Sequence, residues 1–469
     1  GLNEITENND HTDESEFGAK LNFRFPLSAI PDQKGRLKVG ARLRLKTKDR
    51  NNIFNEFSPV DGKFASNLGS VSTVDWDGKD FQAGAGLIPG RFASKNFLGS
   101  LDLNNAAVFK EEAVPSEYLG VNYSANENII AGYVRWDQDF SERLSMILGA
   151  RLENTSISYT GNVVEDEETL TGTRTLDNNY LNVLPNLTFK YKATEDFIVR
   201  LAATTGLARP NYYALAPYVN SKVDDRELFA GNPNLKATYS TNYDVMLERY
   251  FQNVGIISGG VFYKNLKNFI YMYNDRRFTA NRFTELFPNL KNPIVGTDDW
   301  SFSQFRNGDK VDVYGFEVAF QRQLDFLPGK FLQGMAVYAN YTFTKSKAKG
   351  ISGEGGVLRE GLGLPRTAPH MLNGSLSWEN NKFSARVSAN YTAAYLDEIG
   401  NDAFTDAYYD KQFFLDANAA YKITKSLRIF AEANNLTNQP LRYYQGEVQR
   451  LRQLEYYKPR YTLGLKYDL

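Results

Sequence analysis

Two groups of side chains in this sequence have the chemistry to bind a ligand. The first group combines arginine with tyrosine in two polar segments, at Arg209, Tyr212, Tyr213, Tyr218, Arg442, Tyr443 and Tyr444. The second group places cations at nearby positions of two short segments, at Lys20, Arg24, Lys38, Arg42, Arg44 and Lys46. Arginine and tyrosine offer hydrogen-bond donors and π faces. The six cations, which we call the cation ladder, would favour an anionic ligand.

Each group also has a simpler interpretation. Arginine and tyrosine in a polar segment can serve to pack that segment against its own scaffold, without touching a ligand. The cation ladder can be the ordinary polar lining of a water-filled interior, where charged residues are common. The sequence leaves both alternatives open.

The sequence contains no set of residues that indicates catalysis or a metal site. His11 and His370 are the only histidines and are far apart, and there is no cysteine to provide a thiolate. The acidic runs at 10–16 and 165–168 lack an ordered spacing of calcium ligands. The formal net charge of −1 gives no general attraction to nucleic acid. We therefore predict a protein that is not an enzyme, with no cofactor, no metal and no nucleic-acid partner.

The elements that must position these residues are strands. Apolar residues alternate with polar ones in many segments, as where Phe17, Leu21 and Phe25 alternate with Lys20 and Arg24. Such alternation over about 10 residues is typical of a membrane-spanning β-strand, which faces lipid on one side and water on the other. No run of about 18 apolar residues is present to form a membrane helix. The sequence predicts an all-β protein, a transmembrane antiparallel β-barrel.

The alternation predicts about 15 strands. They lie near 15–25, 36–48, 127–139, 143–160, 178–192, 196–207, 238–250, 254–273, 310–323, 331–346, 367–379, 382–395, 411–422, 426–437 and 456–469.

The predicted connections alternate in length, as outer-membrane barrels require: short turns lie in the periplasm and long loops lie outside the cell. The short turns are 138–142, 193–196, 252–253, 325–329, 379–382 and 422–425. The long polar segments are 49–126, 208–237, 274–309, 347–366, 396–410 and 438–455. This arrangement places the arginine and tyrosine group in extracellular loops, where binding residues concentrate, and the cation ladder inside the barrel.

Strand direction predicts that part of the barrel is supplied from elsewhere. We expect the final strand to run toward the periplasm. Because the directions of successive strands alternate, the first of the 15 strands, at 15–25, then also runs toward the periplasm, so the chain enters the membrane from outside the cell. A complete single-chain barrel has an even number of strands and begins in the periplasm. We therefore expect an odd number of strands to precede this chain. We also expect its natural N-terminus to lie upstream, because residues 1–4 (GLNE) do not begin a signal peptide.

Six short motifs in order carry a resemblance to a known family. They are LPNL at 184–187, ARPNYY at 208–213, GNPNLK at 231–236, GVFYK at 260–264, YGFE at 314–317 and NNLTN at 434–438. Together they resemble the C-terminal barrel of TonB-dependent receptors, particularly those of the Bacteroidota lineage. The resemblance is good over about 120–469 and weaker over 1–50.

The resemblance implies a barrel of about 22 strands that is plugged by an N-terminal domain. Residues 1–469 would then be the C-terminal portion of the barrel, and about seven strands and the plug would come from outside this sequence. The implied partners are outer-membrane lipid and lipopolysaccharide, the plug and the remaining strands, the TonB complex acting through the plug, and a surface lipoprotein. The cation ladder could contact the plug.

The function that the resemblance implies is import across the cell outer membrane of a scarce nutrient, such as an iron chelate, vitamin, peptide or glycan. One alternative is a receptor-like structural or interaction barrel that is docked in a surface complex. A second alternative is a passive porin.

Overall fold

The computed structural model describes residues 2–62, 64–75, 90–165, 168–223, 225–251, 255–296 and 299–468. The predicted turn at 252–253, part of the acidic run at 165–168 and the terminal Leu469 lie outside these residues. Within the described residues, no helix combines the length and the apolar character needed to cross a membrane.

Fifteen strands form one large sheet, which confirms the predicted number and order. In chain order they are β1 (Thr12–Pro26), β2 (Gly35–Arg50), β3 (Tyr123–Asp139), β4 (Leu144–Glu165), β5 (Thr169–Lys192), β6 (Phe197–Ala208), β7 (Thr238–Tyr250), β8 (Gly255–Lys267), β9 (Lys310–Gln323), β10 (Met335–Lys349), β11 (His370–Glu379), β12 (Phe383–Thr392), β13 (Gln412–Lys422), β14 (Leu427–Asn434) and β15 (Arg460–Tyr467).

Each strand pairs antiparallel with its neighbour in the chain, from β1 to β15. In the first pair Phe17 lies opposite Leu45 and Lys20 lies opposite Arg42. Within the described residues, β1 and β15 each pair on one side only, so the sheet has two free edges.

The alternation in sequence produces two different faces of this sheet. The apolar face carries exposed side chains such as Phe17, Leu181 and Leu463, which are 61%, 62% and 75% exposed. Because successive side chains point to opposite faces of a strand, the neighbouring polar residues line the other face. This is the arrangement of a lipid-facing and a water-facing surface.

Several predicted strand boundaries were wrong. The predicted strand at 254–273 ends at Lys267, because Asn268 has a positive φ of 54° and the chain enters a separate strand, Ile270–Phe278. The predicted strands at 143–160 and 178–192 extend into a longer hairpin, since β4 and β5 continue to pair from Tyr159 to Glu165. The strand predicted from 331 begins at Met335, after a short helix.

The long connections at one end of the sheet, which we call the long-loop end, form small sheets of their own. One sheet joins Ile5–Asn9, Ile53–Pro59 and Phe109–Ala113. A second sheet, loop sheet A, joins Val219–Lys222, Glu227–Ala230, Trp300–Asn307 and Ile270–Phe278. A third, loop sheet B, joins Tyr395–Glu398, Ala407–Tyr409, Leu441–Gln445 and Glu447–Glu455. Two-strand ladders join Thr73–Asp75 to Arg91–Ala93, and Ile351–Ser352 to Leu358–Arg359.

The helices are short. The α-helices are Lys95–Gly99, Pro115–Tyr118, Tyr212–Leu215, Ala280–Leu286 and Lys330–Gln333. The 3-10 helices are Leu68–Ser70, Leu119–Val121 and Glu354–Gly356.

The buried apolar core lies at the long-loop end rather than between the strands of the large sheet. One cluster packs Tyr273, Phe278 and Phe302 from loop sheet A, with the Phe278 and Phe302 rings stacked at 4.3 Å. A second cluster packs Tyr218 and Leu215 against β3 and β4. Buried aromatic side chains contribute large apolar areas, so the loops have the means to hold a defined shape.

Candidate functional site

Two of the predicted groups of residues meet at the long-loop end of the large sheet. Arg209, which follows β6, donates to a carboxylate oxygen of Glu153 on β4 and to Thr155 Oγ1 at 3.0 Å. Arg44, from the cation ladder on β2, donates to Glu127 Oε1 at 2.5 Å. The Arg209 Nε atom lies 3.9 Å from the other Glu127 oxygen. We call Arg44, Glu127, Glu153 and Arg209 the upper charge cluster.

The two carboxylates of the upper charge cluster are buried, with Glu127 only 3% exposed and Glu153 only 8%. A buried charge is costly unless an opposite charge and hydrogen bonds compensate it. Arg44 and Arg209, from distant parts of the chain, supply that compensation together with Arg151, which lies on the same strand as Glu153. The cluster therefore ties the segment after β6 to the polar face of β2, β3 and β4.

The tyrosines that follow Arg209 extend this contact. The Lys46 Nζ atom lies 5.3 Å from the centre of the Tyr212 ring, and the Arg50 guanidinium lies 5.8 Å from that of Tyr213. Such cation–π contacts attach the loop to the upper end of the cation ladder. The short helix Tyr212–Leu215 begins where the Asn211 side chain accepts from the Ala214 amide at 2.7 Å.

Tyr213 and Tyr218 form part of the loop core. Their ring centres are 4.8 Å apart, and both pack on Phe229, at 5.8 Å and 6.1 Å. Tyr218 is 2% exposed, and burial raises the pKa of its phenol well above the ordinary value. The structure thus places Tyr218 in a packing position, and its predicted ligand contact stays a prediction.

The other predicted loop residues lie on a separate surface, in the strand Leu441–Gln445 of loop sheet B. Arg442 Nη1 donates to Asp410 Oδ2 at 2.6 Å. The Tyr443 ring packs on Tyr409 at 4.6 Å, and the Tyr444 ring stacks on Tyr408 at 5.2 Å. Burial raises the pKa of both Tyr443 and Tyr444. Their binding role also stays a prediction.

The six cations of the ladder share the polar face of β1 and β2, and they divide into two sets. Lys38 pairs with Asp137 at 3.0 Å, Lys46 with Glu14 at 2.6 Å, and Arg44 with Glu127. The ladder cations without an ion pair to any described residue are Lys20, Arg24 and Arg42. A role for these three in binding an anion or another domain is untested.

A large concave site lies between loop sheets A and B, and sequence reasoning missed it. This loop cavity has a volume of about 820 Å³, and residues of both loop sheets line it. The seven predicted loop residues are all described, and none of them lines it.

One face of loop sheet A forms the floor of the loop cavity. Across the sheet, Asn220 pairs with Phe229, Phe229 with Ser303, and Ser303 with Asn274. All four line the cavity, and Ser303 Oγ donates to Asn274 Oδ1 at 2.8 Å. The intervening residues, such as Phe302, point into the buried apolar cluster. The alternation thus turns amide, hydroxyl and aromatic groups toward the cavity.

Ion pairs line the opposite wall. Arg366 Nε donates to Asp397 Oδ1 at 3.0 Å, and Arg452 Nη1 donates to Glu398 Oε2 at 2.7 Å. In each pair the cation therefore already has a partner within the wall.

A buried pair supports this wall from behind. Arg359 donates to both oxygens of Asp406 at 2.7 Å and to the Gly400 carbonyl at 3.0 Å. Asp406 is 1% exposed and also accepts from the Gly400 amide at 2.8 Å. The hydrogen bonds that Arg359 donates to Asp406 hold the pKa of Arg359 above its ordinary value. The bidentate geometry fixes the backbone that carries Gly400 and Asn401 at the cavity edge.

A weak signal for the floor was present in the sequence, in the alternation of Trp300, Phe302 and Gln304 with serines and Phe305. It identifies a strand but not its partners. The pairing of Glu227–Ala230 with Trp300–Asn307 is parallel and joins segments about 70 residues apart. Within the described residues, no group of three or more His, Cys, Asp or Glu side chains is placed to hold a metal ion.

A family model described as "TonB dependent receptor-like, beta-barrel" matches residues 2–436. A curated relative, the iron-regulated outer membrane virulence protein of Vibrio cholerae strain El Tor Inaba N16961, is 25% identical over 271 residues, which are 57% of this chain and 36% of the relative.

Solved structures show the same fold. The siderophore receptor PiuA from Acinetobacter baumannii is 13% identical with a TM-score of 0.61, over 98% of this chain and 56% of that one. The unliganded ferric citrate transporter FecA is 14% identical with a TM-score of 0.59, over 99% and 56%. The chain thus spans about half the length of these solved structures and about a third of the curated relative.

Proposed function

The chain belongs to the TonB-dependent receptor family, whose β-barrel model matches residues 2–436, and on that premise we propose that it captures a scarce nutrient outside the cell for import. The protein is a receptor barrel of the outer membrane. The long-loop end is then extracellular, and the short turns are periplasmic.

The loop cavity is the observation that carries this proposal. Its volume of about 820 Å³ lies within the range of small-molecule sites, roughly 300–1,000 Å³. Its floor is a paired sheet and one wall carries ion pairs, so the site is preformed rather than assembled by the ligand. A passive pore needs no such cavity.

We further propose that the barrel is closed by strands from outside residues 1–469 and filled by a plug. Unpaired backbone groups in lipid cost several kcal/mol each, and β1 and β15 each present a free edge in the described chain. Lys20, Arg24 and Arg42 would contact acidic groups of the plug on the polar face. The TonB complex would act on the plug, while lipid, lipopolysaccharide and a surface lipoprotein would contact the outer surfaces.

Uptake by living cells tests this proposal. In a deletion strain, a wild-type copy should restore accumulation of one radiolabelled nutrient from a panel of iron chelates, vitamins, peptides and glycans, and only when TonB is functional. The other panel members serve as matched controls for membrane leakage.

Each rival predicts a different result. A receptor-like interaction barrel would leave uptake unchanged on deletion but would remain bound to a surface complex after detergent extraction. A porin would conduct ions in planar bilayers and would restore uptake without TonB. Either result would refute the importer.

A further inference from the structure

The two ends of the loop cavity floor carry opposite charge. On loop sheet A, Lys222 pairs with Glu227, and Glu227 pairs with Ser301. The pairing of the strands Ile270–Phe278 and Trp300–Asn307 is irregular at this point. Asp275 lies opposite Phe302 and Phe278 lies opposite Trp300, so Arg276 falls in the irregular stretch beside Ser301. One row of the floor therefore runs from Lys222 and Glu227 across Ser301 to Arg276.

Carboxylates outnumber the ammonium at the first end. Lys222 Nζ donates to Glu117 Oε1 at 2.8 Å, and this bond, with the negative charges of Asp225 and Glu227, raises the pKa of Lys222. Three carboxylates thus act on one ammonium. Glu227 itself is exposed and forms no ion pair with the described part of the chain.

The second end carries a cation with no carboxylate partner. Arg276 is exposed and makes no ion pair with any described residue. When the Asn401 amide is oriented to satisfy its neighbours, its oxygen accepts from Arg276 Nε at 2.8 Å. This bond holds the guanidinium at the cavity edge. The adjacent Asp275 is committed elsewhere, since it accepts from Tyr273, Arg282 and the backbone amide of Arg277.

The other charged groups of the lining are already paired with one another or with neighbours. Arg366 pairs with Asp397, Arg452 with Glu398, Asp275 with Arg282, and Lys222 with Glu117. A ligand with several negative charges would therefore meet a single available cation, whereas a ligand with one charge of each sign would meet Arg276 and Glu227.

The spacing of these two residues sets the length of the ligand. One strand lies between theirs, so their backbones are two strand spacings apart, about 10 Å. An extended chain of about three residues has this length. Between the two ends, Ser301, Ser303 and Asn274 offer hydrogen bonds to peptide groups, and Phe229 offers an apolar surface.

We infer that the loop cavity binds a short zwitterionic peptide, with its terminal ammonium at Glu227 and its terminal carboxylate at Arg276. This inference rests on the proposed function and names the substrate class of that same site. The remaining charges of the lining form internal pairs.

Calorimetry on the detergent-solubilised full-length protein tests the inference with trialanine as the probe. Free trialanine should bind, and N-acetylation or C-amidation should each weaken binding roughly tenfold or more, because each cap removes one charge-assisted contact. Glu227→Gln should weaken the binding of free trialanine, and in this variant N-acetylation, but not C-amidation, should no longer weaken binding further. Arg276→Gln should also weaken the binding of free trialanine, and in this variant C-amidation, but not N-acetylation, should no longer weaken binding further.

Two controls match these variants in chemistry and lie away from the cavity. Glu285→Gln changes an exposed carboxylate of the helix Ala280–Leu286, and Arg143→Gln changes an exposed cation in a short turn. Both should bind all three probes like the wild type, and β-rich circular dichroism should show that every variant is folded.

Three results would overturn the inference: equal binding of free and capped trialanine, no binding of any of these peptides, or the same effect of both caps in the two variants as in the wild type. Uptake distinguishes this failure from that of the proposed function. TonB-dependent uptake of another nutrient with no trialanine binding would refute only the inference. Trialanine binding with no uptake of any nutrient would refute the importer and leave the peptide site standing.

Discussion

Replacing Arg209 with alanine should loosen the loop that follows β6 without unfolding the barrel. The substitution removes the bonds to Glu153 and Thr155 and the nearby charge beside Glu127. The loss is smaller than the 3–5 kcal/mol typical of a broken buried pair. This follows because Glu153 keeps Arg151 at 2.8 Å and Glu127 keeps Arg44 at 2.5 Å. We expect about 2 kcal/mol, the value of one charge-assisted bond.

A change of about 2 kcal/mol corresponds to roughly a 30-fold increase in the population of the opened loop. Hydrogen exchange followed by mass spectrometry should therefore show faster exchange in 209–237, while the strand amides of β4 and β6 keep their protection. Arg209→Lys should recover part of the effect, since it restores the charge but not the guanidinium geometry.

A matched control is Arg249→Ala at the short-turn end, where the arginine is 3.6 Å from Asp196 and both side chains are largely exposed. Exposed pairs contribute about 0–1 kcal/mol, so exchange near this residue should change little. If Arg209→Ala changes exchange no more than Arg249→Ala does, the upper charge cluster does not hold the loop, and the reasoning from burial is wrong.

Three further predictions test other parts of the structure. Asp406→Asn should destabilise the cavity wall locally by about 3 kcal/mol, because it leaves the buried Arg359 without its anion, and hydrogen exchange of 395–409 should report it. A hydrogen bond from the neighbouring threonine lowers the pKa of Asp402, so Asp402 stabilises this turn at pH values above the ordinary Asp pKa. This stability is lost as the pH falls through the lowered pKa, so hydrogen exchange of 402–405 should accelerate there, and Asp402→Asn should remove the pH dependence. Leu201→Arg on the apolar face should lower the free energy of unfolding by about 2–4 kcal/mol near the bilayer centre, whereas Thr204→Arg on the polar face of the same strand should lower it less. Urea unfolding in lipid vesicles compares the two variants, and equal losses would contradict the assignment of the two faces.

The large sheet could be predicted from the sequence because its information is local. A lipid-facing strand must show an apolar residue at every second position, and this period is visible without knowledge of any partner. For the same reason the polar face of β1 and β2, and the cation ladder on it, could be identified. Antiparallel pairing of neighbours in the chain then follows from short turns.

Strand ends were harder to predict, since they depend on single residues and on packing. Asn268 ends β8 through a positive φ that asparagine tolerates, although the alternation continues past it into another strand. The extension of β4 and β5 beyond the other strands occurs in a polar segment that gave no apolar period, and pairing alone maintains it.

The sequence by itself determined the family, the strands, and which residues face lipid or water, because each of these is specified by spacing within about 10 residues or by short motifs. Only the tertiary structure decided which contacts the loop residues make. Arg209 compensates buried carboxylates that lie about 55 and 80 residues away in the chain, and Tyr218 packs within the loop core. The loop cavity exists only where loop sheets A and B meet. Neither the strand pairing that forms its floor nor the opposed charges of Glu227 and Arg276 has a local signature, because strands from distant loops bring them together.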